Sequence, residues 1–156
     1  MSERVGAVRI SPLLRLAWRL HRWLYRASGG RIGSRVGPWS ALLLDTRGRK
    51  SGELRTAGLN YLTDGGRLVV VASYAGEDRH PAWWLNLLAD PRGDVQVGTE
   101  RYPVTARELD GADRDRLWRL VVETDPSYAT YQERTTRRIP VVALERVPLD
   151  SSPGGE

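Results

Sequence analysis

The sequence predicts an α+β fold: a small, mostly antiparallel β-barrel of about six strands with helices at its periphery. Its 156 residues, 40% of them hydrophobic, suffice for one compact core and are too few for two. After Pro38, short apolar runs alternate with turn signals at the spacing of β-hairpins. Three other stretches carry helical signals, which places helices around the strands.

The first predicted element is a helix in SPLLRLAWRLHRWLYRASGG, with Ser11 as N-cap, Pro12 at the first helical position and Gly29–Gly30 as the stop. At about 100° per residue, one narrow stripe carries four arginines: Arg15, Arg19, Arg22 and Arg26. The opposite face is apolar and contains Leu13, Leu16, Ala17, Leu20 and Leu24. Such a helix packs its leucines on the core, lies on a membrane surface, or faces a partner protein. Residues 12–27 are therefore a candidate for peripheral membrane contact.

The later elements follow in order along the chain. WSALLLDT and LRTAGLNYL are predicted strands, and the turn DGG leads from the second of them into RLVVVAS. HPAWWLNLLADP is a short helix, DVQVG and RYPVTARE form a hairpin, DGADRDRLWRLVVET is an amphipathic helix, and IPVVALERV is the last strand. We divide the chain into a basic helical segment (1–35), a barrel domain (36–148) and a polar tail (149–156) that we expect to be disordered.

Composition excludes several kinds of chemistry. The chain has no cysteine, which rules out disulfides, thiolate metal sites and a cysteine nucleophile. Its two histidines, His21 and His80, are far apart in sequence, so no metal site is predicted. Known catalytic motifs are missing, and an enzyme built this way would depend on a bound cofactor. The lack of a long apolar segment predicts a cytoplasmic protein.

Positive charge is concentrated at the front of the chain. Residues 1–56 carry a net charge of +9, although the whole chain carries +5. Within this part, TRGRKSGELRT (46–56) combines glycines, hydroxyls and basic side chains, including Lys50, the single lysine. These groups suit a phosphate or a carboxylate, but an ordinary charged hairpin explains them equally well. Interleaved stacking aromatics are missing, so no nucleic-acid partner is predicted.

Two further stretches are candidate site segments. In VVVASYAGEDRHPAWWLNLLADP a strand end meets a helix N-terminus, which suits an anion or a carbonyl group. His80 would equally well cap that helix, and its tryptophans and Asn86 would equally well serve packing alone. In DPSYATYQERTTRRIP, Tyr128 and Tyr131 would share one side of a helical turn, as binding groups or as half-buried surface residues.

Taken together and in this order, the three stretches resemble the deazaflavin-dependent nitroreductase family, which includes F-420H2-dependent quinone reductases. The resemblance rests on G-R-K-S-G with R-T after it, on V-V-A-S-x-x-G-x-x-x-H-P-x-W-x-x-N-L-x-A-x-P, and on Y-x-x-Y-Q with I-P-V-V close behind. It covers residues 38–147. It implies a split β-barrel oxidoreductase that uses reduced 8-hydroxy-5-deazaflavin coenzyme (F-420) as hydride donor and a quinone or nitroaromatic compound as acceptor.

The resemblance also implies roles for individual residues. The cofactor phosphate and neighbouring tail would be held by Arg49, Lys50 and Ser51, assisted by Arg55 and Thr56. The deazaflavin ring would be lined by Ser73, Tyr74, Ala75 and Gly76, with a wall shaped by His80, Pro81, Trp84 and Asn86. The catalytic residues would be Tyr128 and Tyr131, which border the acceptor; one of these phenols, or water, would protonate the acceptor oxygen.

Two alternatives remain compatible with the sequence. One is a non-catalytic carrier of F-420 or of another amphiphile, and the other is an FMN-dependent barrel oxidoreductase. Because quinones dissolve in lipid, the resemblance is also compatible with a place at the inner face of the cell membrane. The sequence does not predict an oligomeric state.

Overall fold

The computed structural model describes residues 12–28, 35–36 and 39–149. The helices are α1 (Pro12–Ala27), α2 (Ala82–Ala89), α3 (Gly111–Thr124) and α4 (Ser127–Glu133), with one 3-10 turn at Tyr74–Gly76. The strands are β1 (Arg35–Val36), β2 (Trp39–Arg47), β3 (Leu54–Asp64), β4 (Arg67–Val71), β5 (Arg92–Val97), β6 (Glu100–Glu108) and β7 (Val141–Arg146). The predicted cap Ser11, the stop Gly29–Gly30 and residues 150–156 of the predicted tail lie outside the described residues.

Six strands close into an antiparallel barrel in the order β2-β3-β4-β7-β6-β5, and β5 pairs back onto β2. Strand β1 adds to β2, with Arg35 opposite Ser40. Leu44 of β2 lies opposite Ala57 of β3 and opposite Val95 of β5, which shows β2 paired on both edges. This architecture confirms the predicted α+β barrel of six antiparallel strands with peripheral helices.

The barrel interior is filled by the apolar side chains that alternate along the strands. Its central cluster contains Leu42, Leu44, Leu68, Val70, Val95, Val104, Val142 and Leu144. Helix α2 packs into the same cluster through Trp83, Trp84 and Leu87. The helix that carries the second candidate site segment is thereby anchored in the core.

The outer surface of β4 and β7 is covered by α3. Leu117 of α3 packs with Val69, Leu109 and Val141. Further along the same surface, Trp39, Val121 and Tyr128 form a third cluster, which includes α4. Apolar residues on both faces of these strands explain why RLVVV and VVALER read as nearly continuous hydrophobic runs.

Helix α1 packs on the barrel with the side opposite to its leucines. The buried Tyr25 hydroxyl accepts from the N–H of Gly98 at 2.8 Å and donates to the carbonyl of Ala41 at 3.1 Å. Arg26 Nη2 lies 3.0 Å from both carboxylate oxygens of Asp45, a residue that is only 4% exposed. Three leucines that would have packed on the core are instead exposed, Leu13 by 77%, Leu16 by 61% and Leu20 by 54%, whereas Leu24 is half-buried.

The interpretation of α1 as a helix with inward leucines and a solvated arginine stripe is therefore wrong. Arg22 and Arg26 are half-buried, whereas Arg15 and Arg19 are exposed. The physical reason is the surface beneath the helix, where a buried carboxylate and backbone groups of the barrel need polar partners. Asp45 also accepts from Arg101 Nη2 at 3.1 Å and from the hydroxyl of Thr56, so it joins α1, β3 and β6. None of the described helices is long and apolar enough to span a membrane.

Candidate cofactor site

The β2–β3 connection is an ordered turn with basic side chains. The N–H of Gly48 donates to the Glu53 carbonyl and the N–H of Gly52 to the Gly48 carbonyl, both at 2.8 Å. A Cβ at Gly48 would lie 2.8 Å from Ser51 Oγ and 3.2 Å from the Glu53 carbonyl oxygen, so a side chain there would displace Ser51 and crowd the turn. The charged-hairpin interpretation of residues 46–56 is thus correct as a description of the backbone.

Asn86 of α2 ties this turn to the second candidate segment. Its Oδ1 accepts from the backbone N–H of Arg49 at 3.2 Å and from Arg49 Nη1 at 3.0 Å. Its Nδ2 donates to Thr46 Oγ1 at 3.1 Å, and the side chain is 3% exposed. A buried amide with three satisfied hydrogen bonds fixes the position of the turn relative to α2.

The basic and hydroxyl residues of the turn differ in what they contact. Arg55 pairs with Glu53 at 3.3 Å, and Thr56 donates its hydroxyl to Asp45 on the α1 side of the barrel. Ser51 Oγ accepts the N–H of Glu53 at 3.2 Å. Lys50 is exposed and has no ion-pair partner among the described residues. The tip of the turn therefore offers one uncommitted cation next to the braced guanidinium of Arg49.

The segment after β4 adopts left-handed backbone conformations. Tyr74 has a φ of 46°, Ala75 of 53° and Gly76 of 79°. Such a conformation costs a residue with a side chain about 1–2 kcal/mol. It is closed by hydrogen bonds from the N–H of Gly76 to Ser73 and from the N–H of Glu77 to Tyr74, at 2.9 and 3.1 Å.

Helix α4 packs against this left-handed segment. A Cβ at Gly76 would come within 2.5 Å of the Tyr131 carbonyl oxygen, so only glycine fits there. The rings of Tyr128 and Tyr131 lie 5.3 Å apart, which confirms that they share one side of a helical turn. Tyr131 is half-buried, whereas Tyr128 is buried against Trp39. Burial raises the pKa of the Tyr128 phenol, and a hydrogen bond with the Asn60 side chain opposes that rise.

The predicted wall residues occupy different depths. His80 is half-buried, Pro81 is buried at the start of α2, and Trp84 belongs to the barrel interior. Ser73 is buried and Ala75 is exposed. The structure thus joins the three candidate stretches: Asn86 connects the basic turn to α2, and the packing of Gly76 on Tyr131 connects the left-handed segment to α4.

One residue of the site was missed from the sequence. Arg137 donates from Nε to the Glu77 carbonyl at 2.8 Å and from Nη2 to the Ser73 carbonyl at 2.7 Å. Its Nη1 lies 3.1 Å from both the Ala72 carbonyl and His80 Nδ1. In a chain with 24 basic residues, no sequence signal separates this arginine from the others.

Comparison with known proteins identifies the family. Residues 17–146 match the family model described as F-420H2-dependent quinone reductase. The chain belongs to this family. It is 45% identical over 132 residues to an F-420H2-dependent quinone reductase of Mycobacterium tuberculosis, a match that covers 82% of this chain and 89% of that protein. The predicted resemblance is confirmed, and the family it names is F-420H2-dependent, with reduced F-420 as its hydride donor.

Solved structures agree with this assignment. An F-420H2-dependent reductase shares 42% sequence identity and a TM-score of 0.61, over 67% of this chain and 93% of that chain. The heme storage protein HutZ of Vibrio cholerae, at 13% identity and a TM-score of 0.53, covers 70% of this chain and 82% of its own. At that identity the second likeness shows the fold alone. This chain thus shares its fold with a protein named for heme storage.

Proposed function

We propose that this member of the F-420H2-dependent quinone reductase family is an oxidoreductase that transfers a hydride from reduced F-420 to a quinone. The observation that supports it most is the brace from Asn86 to Arg49, because it links the basic turn to the helix beside the left-handed segment. An extended ligand with a charged end and a planar ring needs these two regions at a fixed separation.

The chemistry of the donor set fits the cofactor. Reduced F-420 supplies a hydride when it is bound. Arg49, Lys50 and Ser51 would hold its phosphate, since an exposed unpaired ammonium beside a fixed guanidinium is suited to a phosphate oxygen. Arg55 would add charge from the start of β3. Thr56 would act only indirectly, because its hydroxyl proton is committed to Asp45.

The left-handed segment would provide the surface for the planar ring. Ser73, Tyr74, Ala75 and Gly76 present it, and Gly76 allows α4 to lie directly against it. That surface would be supported from the protein interior by half-buried or buried residues, namely His80, Pro81 and Trp84. The protein's contribution is then to fix the distance and angle between the ring and the acceptor, which lowers the entropic cost of the reaction.

Quinone reduction by a hydride also consumes a proton, which must reach an acceptor oxygen. Of the two candidate phenols, we assign the contact with the acceptor to Tyr131. It is half-buried and adjoins Gly76, whereas Tyr128 is buried and hydrogen-bonds to Asn60. Tyr128 would hold Tyr131 in place through the 5.3 Å ring contact. A nitroaromatic compound would be the second candidate acceptor beside Tyr131.

A direct binding experiment tests the proposed function. Titration of the purified protein with F-420, followed by the cofactor's fluorescence, should show saturable binding at micromolar concentrations. Reduced F-420 should then be oxidised when menadione is added. Binding without oxidation would favour the carrier alternative, a yellow preparation as purified would favour FMN, and no binding at tens of micromolar would refute the proposal.

We also propose that α1 holds the protein at a membrane surface. Leu13, Leu16, Leu20 and Trp23 are all more than half exposed on the side of α1 that faces away from the barrel. Exposed Arg15 and Arg19 flank this apolar surface. An apolar helix face edged by arginines matches the interface of a bilayer with anionic headgroups. The acceptor quinones dissolve in that same phase.

Vesicle flotation tests this contact. The variant L16E/L20E should lose binding to vesicles that contain phosphatidylglycerol and keep its affinity for F-420. Leu120→Glu, which changes an exposed leucine of α3, is the matched control. Unchanged vesicle binding by L16E/L20E would refute the contact. Deleting residues 1–30 is a poorer test, because it removes the buried Tyr25 and uncovers Asp45.

A further inference from the structure

The contacts of Arg137 suggest a role beyond packing. A guanidinium has five N–H donors. Four acceptors on one short segment of chain contact this one: the carbonyls of Ala72, Ser73 and Glu77, and Nδ1 of His80. All four distances lie between 2.7 and 3.1 Å. The Arg137 side chain therefore bridges the two ends of the segment from residue 72 to residue 80.

The segment that Arg137 spans has an intrinsically unfavourable backbone. Tyr74 and Ala75 are not glycines, yet both have positive φ. Conformations of this kind persist where the surroundings determine them, and they cluster at functional sites. Arg137 bonds on both sides of the two residues, at Ser73 before them and at Glu77 after them. A second arginine, Arg134, reaches the Ala75 carbonyl at 3.3 Å.

Arg137 is itself held by α4 and the loop after it. Gln132 Nε2 donates to the Arg137 carbonyl at 2.8 Å, and Gln132 Oε1 accepts the N–H of Ile139 at 3.0 Å. One amide thus bonds the backbone on both sides of Arg138, directly after Arg137. Gln132 and Arg137 in this way connect the helix that bears Tyr131 to the segment proposed to carry the ring.

The contact with His80 has a further consequence. Arginine has no acceptor, so His80 Nδ1 must accept the hydrogen bond and the imidazole proton must lie on Nε2. Burial and then the Arg137 cation lower the pKa of His80, and the Glu108 carboxylate raises it. His80 is therefore a neutral group with a single N–H donor, directed away from Arg137.

We propose that Arg137 is the positioning residue of the ring site: its guanidinium holds the left-handed segment Tyr74–Gly76 in shape and fixes His80 as the tautomer protonated on Nε2. This inference rests on the proposed function for its ligand, because the segment it holds is the one proposed to bind the deazaflavin. The shape of the loop and the His80 tautomer are properties of the protein without its cofactor, and they can be measured in its absence.

The test uses a matched pair of adjacent arginines. Arg137→Lys keeps the charge but replaces a planar fork by three donors on a single nitrogen. Arg138→Lys is the control, since Arg138 is exposed and reaches Asp115 at 3.9 Å. We expect Arg137→Lys to weaken F-420 binding about ten-fold or more, and Arg138→Lys to bind as the wild type does. Thermal melts of both variants separate this loss from a loss of folding.

The tautomer provides a readout that needs no cofactor. With only two histidines in the chain, two-bond ¹H–¹⁵N correlation spectra identify the His80 ring after comparison with His80→Asn. The wild type should show the proton on Nε2, and Arg137→Lys should show a mixture of both tautomers. A wild-type His80 protonated on Nδ1 would overturn the inference, even if the lysine variant failed to fold. Wild-type F-420 affinity in Arg137→Lys would overturn it equally, whereas a wild type that binds no F-420 refutes only the proposed function.

Discussion

Asn86 Oδ1 accepts both the backbone N–H of Arg49, at 3.2 Å, and its Nη1, at 3.0 Å, across 37 positions of sequence. The same helix inserts Trp83 and Trp84 into the barrel core. The position of the tip of the basic turn is therefore fixed relative to the core through α2. A loop at a protein surface acquires in this way the positional precision of a buried helix.

Replacement of Asn86 by alanine should weaken both the fold and the site. The Arg49 N–H and the Thr46 hydroxyl would lose their partner, at a cost of about 1–3 kcal/mol in the free energy of unfolding. F-420 affinity should fall about ten-fold because Arg49 is no longer held. Urea denaturation and fluorescence titration measure the two effects. Leu88→Ala, an exposed change on the same helix, should alter neither, and equal affinity in both variants would contradict the brace.

The double variant R49A/K50A should lose most of its affinity for F-420. A charge-assisted hydrogen bond contributes about 1.5–3 kcal/mol, so each lost cation should cost at least about ten-fold in Kd. The remaining binding should depend less on salt than that of the wild type. Arg119→Ala removes one exposed charge from α3 and serves as the control. If the double variant bound normally, the phosphate would have to lie elsewhere.

Gly76→Ala and Gly65→Ala separate backbone strain from steric contact. Both glycines have positive φ, but a Cβ at Gly65 meets nothing within 4 Å, whereas at Gly76 it meets the Tyr131 carbonyl oxygen at 2.5 Å. Gly65→Ala should cost only the left-handed penalty of about 1–2 kcal/mol. Gly76→Ala should cost clearly more, and it should also displace Tyr131 and reduce menadione turnover. If the two variants lost the same stability, α4 would have to move away from residue 76 at no cost in free energy.

The ion pairs of Asp64 should make the stability difference between the wild type and Asp64→Asn depend on pH. Its bidentate hydrogen bond with Arg116, and then its contact with Arg67, lower the pKa of this carboxyl to about 2. Because the unfolded-state pKa is about 3.9, the ionised carboxylate stabilises the fold above about pH 4, and this contribution disappears as the pH falls through about 2. Asp64→Asn should thus be less stable than the wild type at neutral pH and approach it in acid. Urea midpoints at several pH values measure this, with Asp115→Asn as control; a constant difference would contradict the assignment.

The barrel was predictable because its signals are local. Runs such as WSALLLDT and RLVVV are bounded by turn residues, and Gly65–Gly66 and Gly98 fall where the observed hairpins turn. Antiparallel pairing of neighbours follows from short connections. The closure of β5 onto β2 is a long-range contact that no local pattern encodes.

The orientation of α1 was not predictable from its periodicity. A helical pattern shows that two faces differ, and burial of the apolar face is only the usual outcome. Here the barrel surface presents Asp45 and backbone groups of Ala41 and Gly98, which Arg26 and Tyr25 satisfy. A single aspartate in the apolar run WSALLLDT was the sequence signal for that polar surface.

From the sequence, candidate site residues could be proposed where side chains define them and not where the backbone does. Lys50 and Asn86 stand in recognisable motifs, but Arg137 acts on carbonyl oxygens, which every residue possesses. Its partners lie between 57 and 65 positions away in sequence. No pattern of residue types records such contacts.

The hydrogen bonds described between α1 and the barrel come from Tyr25 and Arg26, and the outward side of the helix carries the exposed Leu13, Leu16, Leu20 and Trp23. Substitutions on that side leave Asp45, the strands and the basic turn untouched. Under the proposed membrane contact, the residues that would set the protein's location are therefore separate from those proposed to bind the cofactor. Exchanging a few outward leucines would then change the proposed membrane affinity and leave the proposed cofactor site as it is.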